Sequence, residues 1–472
     1  MNKSKLKEYF EQSALQRDAW RAKNSYYHQD IKDFLRFLIP ANVSVLEVGC
    51  ATGEISAFLA KDNPQIKGID FSPAMIAEAG KKYPGLNFAV EDVEDLPLAE
   101  KQYDYLIVSD VVGYLEDVQA SFASLSNHAH SQSRLIVTTY NFLWEPIFFL
   151  AEKLKLKMPQ PMQNWLSPND VEELLYLGGF EVIKRGGRLL LPKNIPLLSA
   201  LCNRYLAKLP IFKNLCLMNY FIARKRPVGA GAKKYSVSVL IPARNEKGNI
   251  EEAVKRIPNI GSHTEIIFVE GNSTDDTWAE IQRVKVAYPQ VDIKIMKQEG
   301  RGKGDAVRKG FDAASGDVLM ILDADLTVRP EDLPKFYEAI ANGNGEFVNG
   351  CRLVYPMEDE AMRLLNVFGN KFFSVMFSWL LEQRIKDTLC GTKVLWRKDY
   401  EKIKANRKFF GDFDPFGDFD LLFGASKLNL KIIDLPIHYQ ARVYGETNIS
   451  RFRHGWLLLQ MCVFAMKKIK FI

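Results

Sequence analysis

The sequence predicts an α/β chain of two layered domains, on three observations. Short apolar runs alternate with amphipathic stretches twice, from about Val43 to Arg188 and from about Ser236 to Tyr444. In both series the runs end in glycine or in a carboxylate, at the edge where an open α/β sheet receives its ligand. Between the series lies RPVGAGAKKYS, residues 226–236, whose Pro, Gly and Ala steps read as a linker. The expected organisation is a domain over 1–225, a linker over 226–235, a second domain over 236–450 and an amphipathic C-terminal helix over 451–472.

Bulk properties agree with folded protein. The chain has 472 residues, room for two or three domains at about 150 residues each. Apolar residues make up 47 % and charged residues 25 %, so disorder is not expected. Lys and Arg exceed Asp and Glu by six, too little to indicate nucleic acid and compatible with an anionic lipid surface. None of the six cysteines forms a CxxC pair, and a reduced cytosolic setting follows. The N-terminus MNKSKLKEYFEQ lacks a secretory apolar core, and no run reaches the roughly 18 apolar residues of a spanning helix.

The first strand is VSVLEV, residues 43–48, followed by Gly49 and Gly53. Glycine there lets backbone approach a ligand without a Cβ clash, and Glu47 at the strand end can accept from a cationic amino group. The second strand, Ile66 to Ile69, ends in Asp70, about 20 residues on, where a carboxylate meets ribose hydroxyls in this architecture. A third, Leu86 to Val90, ends in Glu91–Asp92, and a fourth, Tyr105 to Val108, leads into Ser109–Asp110. Tyr26, Tyr27 and His28 lie in an N-terminal cap that can face an acceptor. The stretch 195–225, rich in Leu, Ile and Phe, reads as a core-packing helix pair, with a lid or membrane-facing element as the alternative.

With LEVGCATG, GIDFSPAMIAEA, FAVEDVEDLPL, YDYLIVSDVVGYLED and LSPNDVEELLYLGGFEVI, residues 25–190 resemble class I S-adenosylmethionine-dependent methyltransferases. The resemblance implies a Rossmann-like domain on a seven-stranded sheet. It implies that Glu47, Gly49 and Gly53 cradle the methionine part of S-adenosylmethionine. Asp70 would bind the ribose with Met75 nearby, Asp92 would meet the adenine amino group, and Ser109 and Asp110 would flank the sulfonium. Ala51 stands where the family's turn has a second glycine. Methyl transfer from a sulfonium mainly needs in-line positioning, so no fixed base is demanded, and the methyl acceptor is not readable.

In the second half, the strand Val237 to Ile241 is expected to stop at Pro242, and Glu246 to open the next helix. A second strand, Glu265 to Val269, leads into EGNSTDDT, whose Ser273, Thr274 and Asp275 suit a helix N-cap. The basic segment GRGKGDAVRKGF carries Arg301 and Lys303, and the strand Val318 to Leu322 ends in Asp323–Ala324–Asp325. Two carboxylates on alternate residues at a strand end can hold a hard divalent cation together with substrate phosphates. Such a cation would neutralise a diphosphate leaving group, and Arg301 and Lys303 would add positive charge.

IPARNEKGNI, VEGNSTDDT, GKGDAVRKGF, ASGDVLMILDADLTVRPEDL, NGCRLVYP, DTLCGTKV and PIHYQARVYGETN, over residues 236–450, resemble glycosyltransferase family 2, in particular its polyprenyl-phosphate sugar transferases. The resemblance implies a GT-A domain that transfers sugar with inversion from a GDP- or UDP-linked donor. Pro242, Arg244 and Glu246 would line base and ribose, with Glu270 close by, and Asp323 and Asp325 would hold Mg²⁺ or Mn²⁺ and the diphosphate. Glu270–Gly271 replaces the family's two acidic residues. Arg352, Arg363 and Arg442 fall where the family places cations near an acceptor phosphate, a task that suits guanidinium. For a hydroxyl acceptor, Asp418 or Asp420 would be the base.

Two segments, 366–381 and the C-terminal RFRHGWLLLQMCVFAMKKIKFI, suit interfacial helices or core helices. The resulting expectation is a bifunctional enzyme, peripheral at the cytosolic membrane face. It would transfer a hexose to a polyprenyl phosphate or similar lipid and methylate a related compound. The alternatives are transfer to a hydroxyl of a soluble sugar or glycolipid, and a first domain that binds cofactor or scaffolds without catalysing.

Overall fold

The computed structural model describes residues 3–97, 101–227, 233–354, 364–409, 419–440, 442, 444 and 451–471, with backbone alone at 364–368, 408 and 451–454. The chain divides into two compact units, Met1–Arg226 and Pro227–Lys470.

The first unit opens with helices α1 (Lys3–Lys23) and α2 (Ser25–Leu38). Strand β1 (Val45–Val48) then leads to α3 (Glu54–Leu59), β2 (Ile66–Asp70) to α4 (Pro73–Lys82), and β3 (Asn87–Val90) to β4 (Tyr103–Ser109). Helix α5 (Val118–Asn127), β5 (Ala129–Tyr140), α6 (Glu145–Lys153), α7 (Pro168–Leu177), β6 (Phe180–Arg188) and β7 (Met218–Lys225) complete it. The sheet order is β3-β2-β1-β4-β5-β7-β6, parallel except that β7 runs antiparallel to both neighbours. Successive side chains point to opposite faces. Leu46, Leu106 and Val137 therefore pack toward α5 and α7, while Val45, Ile107 and Ile136 pack toward α2 and α3.

The second unit contains β8 (Val237–Ala243), α8 (Ile250–Arg256), β9 (Thr264–Glu270), α9 (Thr277–Ala287), β10 (Asp292–Lys297), α10 (Lys303–Ala313) and β11 (Val318–Ile321). Then come α11 (Leu333–Ala341), β12 (Phe347–Cys351), α12 (Leu364–Leu381), β13 (Lys393–Trp396), α13 (Arg397–Ala405), α14 (Phe419–Lys427), β14 (Ile432–Pro436) and α15 (Arg451–Ala465). Its sheet order is β10-β9-β8-β11-β13-β12-β14, with β13 antiparallel to β11 and β12. In both sheets the order reverses beside the first strand, between β1 and β4 and between β8 and β11. Carboxyl ends at such a reversal form a crevice.

Two expectations give way here. The stretch 195–225 is not a helix pair, because Met218–Lys225 is the interior strand β7. Both faces of β7 are covered, so its side chains show no alternation, and a short continuous apolar run does not distinguish strand from helix. The first strand of the second unit also continues through Pro242, which pairs in register with Val269. Pairing with β11 ends earlier, at Leu240–Ile321, so the donor that proline lacks falls where that ladder has finished.

Helices α12 and α15 pack against each other: Phe373, Phe377, Leu380 and Leu381 share a core with Leu458, Met461, Cys462 and Ala465. Phe372, Val375, Trp456 and Val463, from the same two helices, are exposed. Among the described residues, no helix is long and apolar enough to cross a membrane.

Candidate functional site

At the carboxyl edge of the first sheet, the turn after β1 holds three residues in the left-handed region: Gly49 at φ +69°, Ala51 at +49° and Gly53 at +80°. A Cβ at Gly49 would overlap Val111, and one at Gly53 would lie 2.6 Å from Phe88 Cζ. The missing glycine is thus met by alanine held left-handed, at a cost of about 1 kcal/mol. Asp70 braces the turn, accepting from Ala51 N and Ser72 N at 2.9 Å each. Burial raises its pKa against the pull of those amides. Ser72 caps α4, which brings Met75 beneath the turn.

Glu47 is buried and accepts from Ser56 Oγ; burial pushes its carboxyl up to about 7. Asp92 caps a short helical turn through Glu94 N and is ion-paired with Lys3. Ser109 Oγ lies 3.1 Å from Thr138 Oγ1. Asp110, left-handed at φ +56°, accepts from Tyr27 Oη and from Thr138 Oγ1. Burial raises the Asp110 carboxyl. Tyr26 turns the other way, to Asn203. His28 is half-buried, and desolvation, with Arg21, Arg17 and Lys32 nearby, lowers it to about 3.

Sequence reasoning did not find α1 as the cover of this turn. Leu6, Phe10 and Ala14 pack against Ala51 and Met75, and Arg21 donates to Thr52. The only sequence signal is the apolar spacing of Leu6, Phe10 and Ala14, which names no partner. The cradle and its buried acids fit a nucleoside cofactor that carries an ammonium group.

At the carboxyl edge of the second sheet, Asp323 and Asp325 follow β11, and each faces a cation. Lys303 Nζ, from the first residue of α10, is 2.7 Å from Asp323 Oδ1. Arg442 bridges the site, donating to Asp325 Oδ2 at 2.6 Å and to Glu246 Oε1 at 3.0 Å. Desolvation opposes ionisation of Asp323, but Lys303, Lys393 and Arg352 outweigh it and hold its carboxyl below the usual range. Glu246 is raised by burial, which Arg442 and Asn249 partly offset. Asp325 also accepts from the backbone and hydroxyl of Thr327.

The other predicted positions scatter in type. Pro242 is half-buried, and Arg244 and Arg301 are exposed. Glu270 is buried and turned back on its own loop, accepting from Ser273 N. Arg352 makes a bidentate pair with Asp387, at 2.7 and 2.8 Å, and lies over the Tyr439 ring. Its charge is therefore already matched by a buried carboxylate. Asp420 is buried, 3.6 Å from Arg407. Arg363 and Asp418 lie outside the described residues.

Three residues behind this site were not singled out individually by sequence: Asp387, Gly391 and Lys393. All fall in the DTLCGTKV segment. Lys393 is fully buried and donates to Asn349 and to Cys390 O. A Cβ at Gly391 would overlap both Asp323 Oδ2 and Lys303 Nζ. No cluster of three His, Cys, Asp or Glu side chains able to hold a metal occurs among the described residues. Two carboxylates that leave room for phosphate oxygens are nonetheless the donor set that Mg²⁺ takes.

Residues 39–179 match the family model described as a methyltransferase domain, and residues 238–419 match glycosyl transferase family 2. The chain joins a methyltransferase domain to a family 2 glycosyl transferase domain. Over 221 residues the glycosyl transferase domain is 44 % identical to a dolichol-phosphate mannosyltransferase of Pyrococcus furiosus. That match takes in 45 % of this chain and 59 % of the relative, so the chain spans under two thirds of that protein's length. Among solved structures, similarity extends to an S-adenosylmethionine-dependent methyltransferase of Thermotoga maritima, at 15 % identity and a TM-score of 0.37, over 47 % of this chain and 100 % of that one. It also extends to glucosyl-3-phosphoglycerate synthase of Mycobacterium tuberculosis, solved with Mn²⁺ and UDP, at 19 % identity and a TM-score of 0.37, over 51 % of this chain and 81 % of that one.

Proposed function

We propose that the glycosyl transferase domain moves a hexose from a nucleotide sugar to a lipid-borne phosphate, with inversion, and that the methyltransferase domain methylates a compound of the same pathway. One observation carries the reading: two strand-end carboxylates, Asp323 and Asp325, are each faced by a cation, Lys303 and Arg442. A divalent cation held by these carboxylates would supply charge neutralisation of the diphosphate as it leaves. Lys303 and Arg442, on long side chains, can pass from carboxylate to phosphate oxygens, and Arg301 lies exposed on the loop just before Lys303. Glu246, pinned by Asn249 and Arg442, would meet the ribose. A phosphate acceptor is already anionic at neutral pH, so the proton-accepting role of Asp420 is not needed. The transfer places the chain peripherally at a membrane, and the exposed apolar residues of α12 and α15 support that placement.

Gly391→Ala tests the geometry. The added methyl has to displace the Lys303–Asp323 pair, and an ångström-scale shift is expected to lower sugar transfer about 100-fold. The check is steady-state transfer by the folded variant, and an unimpaired rate would remove Gly391 from the site.

In the methyltransferase domain, Glu47, Gly49 and Gly53 would hold the methionyl end of S-adenosylmethionine, Asp70 the ribose and Asp92 the adenine. Ser109 and Asp110 would border the transferred methyl. Glu47 titrates at about 7. Below that pH it must shed a proton before it meets the cofactor ammonium. S-Adenosylmethionine affinity is therefore expected to fall about tenfold per pH unit below 7 and to level off above it. Calorimetry across that pH range reads both the slope and the proton released, and a flat profile removes Glu47 from the contact.

The deciding experiment incubates the full chain with labelled GDP- and UDP-hexoses, membrane lipid extract and Mg²⁺ or Mn²⁺, and identifies the product. An acid-labile glycosyl phosphate on lipid supports the reading. An acid-stable glycoside would replace the phosphate acceptor with a hydroxyl.

A further inference from the structure

Two insertions of the first unit rise from the carboxyl edge of its sheet. One runs from Phe142 to Met162, after β5; the other runs from Leu189 to Leu217, between β6 and β7. They are tied together at their bases. Asn141 Nδ2 donates to Asn214 O and Cys216 O, and Trp144 Nε1 donates to Leu215 O at 3.0 Å.

Both insertions carry large apolar side chains that remain exposed among the described residues. Helix α6, EPIFFLAEK, has no fully buried residue at all, and its Phe149 is 61 % exposed. Ile147, Leu150 and Leu154 are exposed beside it, and Ile211 on the second insertion is 78 % exposed. Single exposed apolar residues are ordinary, but an extended cluster of them marks an interaction surface.

The charge pattern identifies the occupant. The second insertion exposes Lys193, Arg204 and Lys213, has Lys208 buried, and carries no acidic residue. The first carries Lys153, Lys155 and Lys157 against Glu145 and Glu152. Lys153 lies 4.2 Å over the exposed Phe149 ring, so an ammonium group and an apolar face share that surface, while Lys157, 4.7 Å over Phe148, is largely covered and paired with Glu152. Large apolar groups that dip into acyl chains, with lysines level with anionic headgroups, are the composition of an interfacial element.

An aromatic ladder runs from this surface into the crevice. Phe148 is 4.9 Å from Tyr140 and 5.8 Å from Trp165, centroid to centroid. Tyr140 and Trp165 line a cleft with Asp110, Gln163 and Asn164.

We propose that the two insertions form a docking surface for an anionic lipid bilayer, and that the cleft at Asp110 takes a membrane-borne methyl acceptor from it. The second clause rests on the methyltransferase reading above; the first does not. The first unit thereby has its own lipid contact.

The test uses the full chain in a Cys202→Ser background. An environment-sensitive fluorophore is placed at Phe149→Cys, at Ile211→Cys or, as control on the opposite edge of the sheet, at Lys61→Cys. Vesicles of phosphatidylcholine with about one third phosphatidylglycerol are expected to shift the emission of the first two labels to the blue and leave the third unchanged. Vesicles of phosphatidylcholine alone should need at least about tenfold more lipid for the same shift. No shift at 149 and 211 while the chain floats with the vesicles would overturn the proposal, because docking would then use another surface. A lipid-independent shift that grows with protein concentration would also overturn it, in favour of a second copy of the chain. The companion variant Phe149→Glu/Ile211→Glu alters only exposed positions. With calorimetric S-adenosylmethionine binding unchanged, it is expected to lose at least about tenfold of the methyl transfer to vesicle lipid. Full transfer overturns the acceptor clause, whereas wild-type chain that fails to bind the cofactor sinks only the methyltransferase reading.

Discussion

Asp323→Asn is expected to lower sugar transfer by about two to three orders of magnitude, the range over which a preorganised charge contact acts on a developing anion. Asparagine keeps the shape and one acceptor oxygen but removes the negative charge. Lys303 then faces a neutral amide in place of a charge, and a divalent cation held there would lose one of two carboxylates. Stability should change little, because both members of the pair are partly open to solvent and such pairs contribute at most about 1 kcal/mol. The measurement is steady-state transfer by Asp323→Asn over a titration of Mg²⁺ or Mn²⁺, beside a thermal melt. A normal rate in the folded variant would remove Asp323 from the chemistry. A rate restored by excess cation would identify the defect as one of metal affinity. Asp325→Asn should show a similar loss of rate, and it also weakens the hold on Arg442, which keeps its bond to Glu246.

Arg352→Met is expected to destabilise the second unit by about 3 kcal/mol or more, whatever it does to acceptor binding. Asp387 is fully buried, and Arg352 satisfies both of its oxygens. Burial alone would raise the Asp387 carboxyl; Arg352 and Lys393 hold it low instead. Taking away the guanidinium leaves a buried anion unmatched, which is costlier than never having had the pair. Arg352→Lys should recover part of the loss, since one ammonium cannot reproduce the fork-to-fork contact. The check is the urea midpoint of the second unit's transition, with transfer assayed at a temperature where the variant stays folded. Stability equal to wild type would show that the pair carries no folding energy. The pH dependence has a definite sign. Asp387 and Asp323 are held below the ordinary carboxylate range, so the stabilisation they contribute is complete above that range and disappears as the pH falls through their depressed values. Acid should accordingly loosen this unit first around the Asp387 segment, since Asp323 contributes little to stability.

The elements that place the site were readable because each combines two signals, a buried run and a terminal acid or glycine. Asp70 at the end of β2, and Asp323 after β11, stand where those signals put them. What could not be read is pairing across the chain. Arg352 and Asp387 are 35 residues apart, and Arg442 and Asp325 are 117 apart. Nothing in either local sequence names the other partner. Helix α1 illustrates the same limit, since its apolar positions meet the glycine turn only through the fold. Strand β7 was missed for a different reason. A strand buried on both faces has no period to detect, and its ion pair of Arg224 with Glu181 is also long-range.

That strand has a consequence for how the molecule is made and how it is cut. Residues 218–225 arrive last in their unit yet sit inside its sheet, and until they leave the ribosome β5 and β6 have no shared partner. A nascent chain paused before this point exposes two open edges, where a chaperone or a neighbouring copy can pair. A truncation that ends near residue 195 should therefore aggregate, while one that ends just past Arg226 retains the whole sheet.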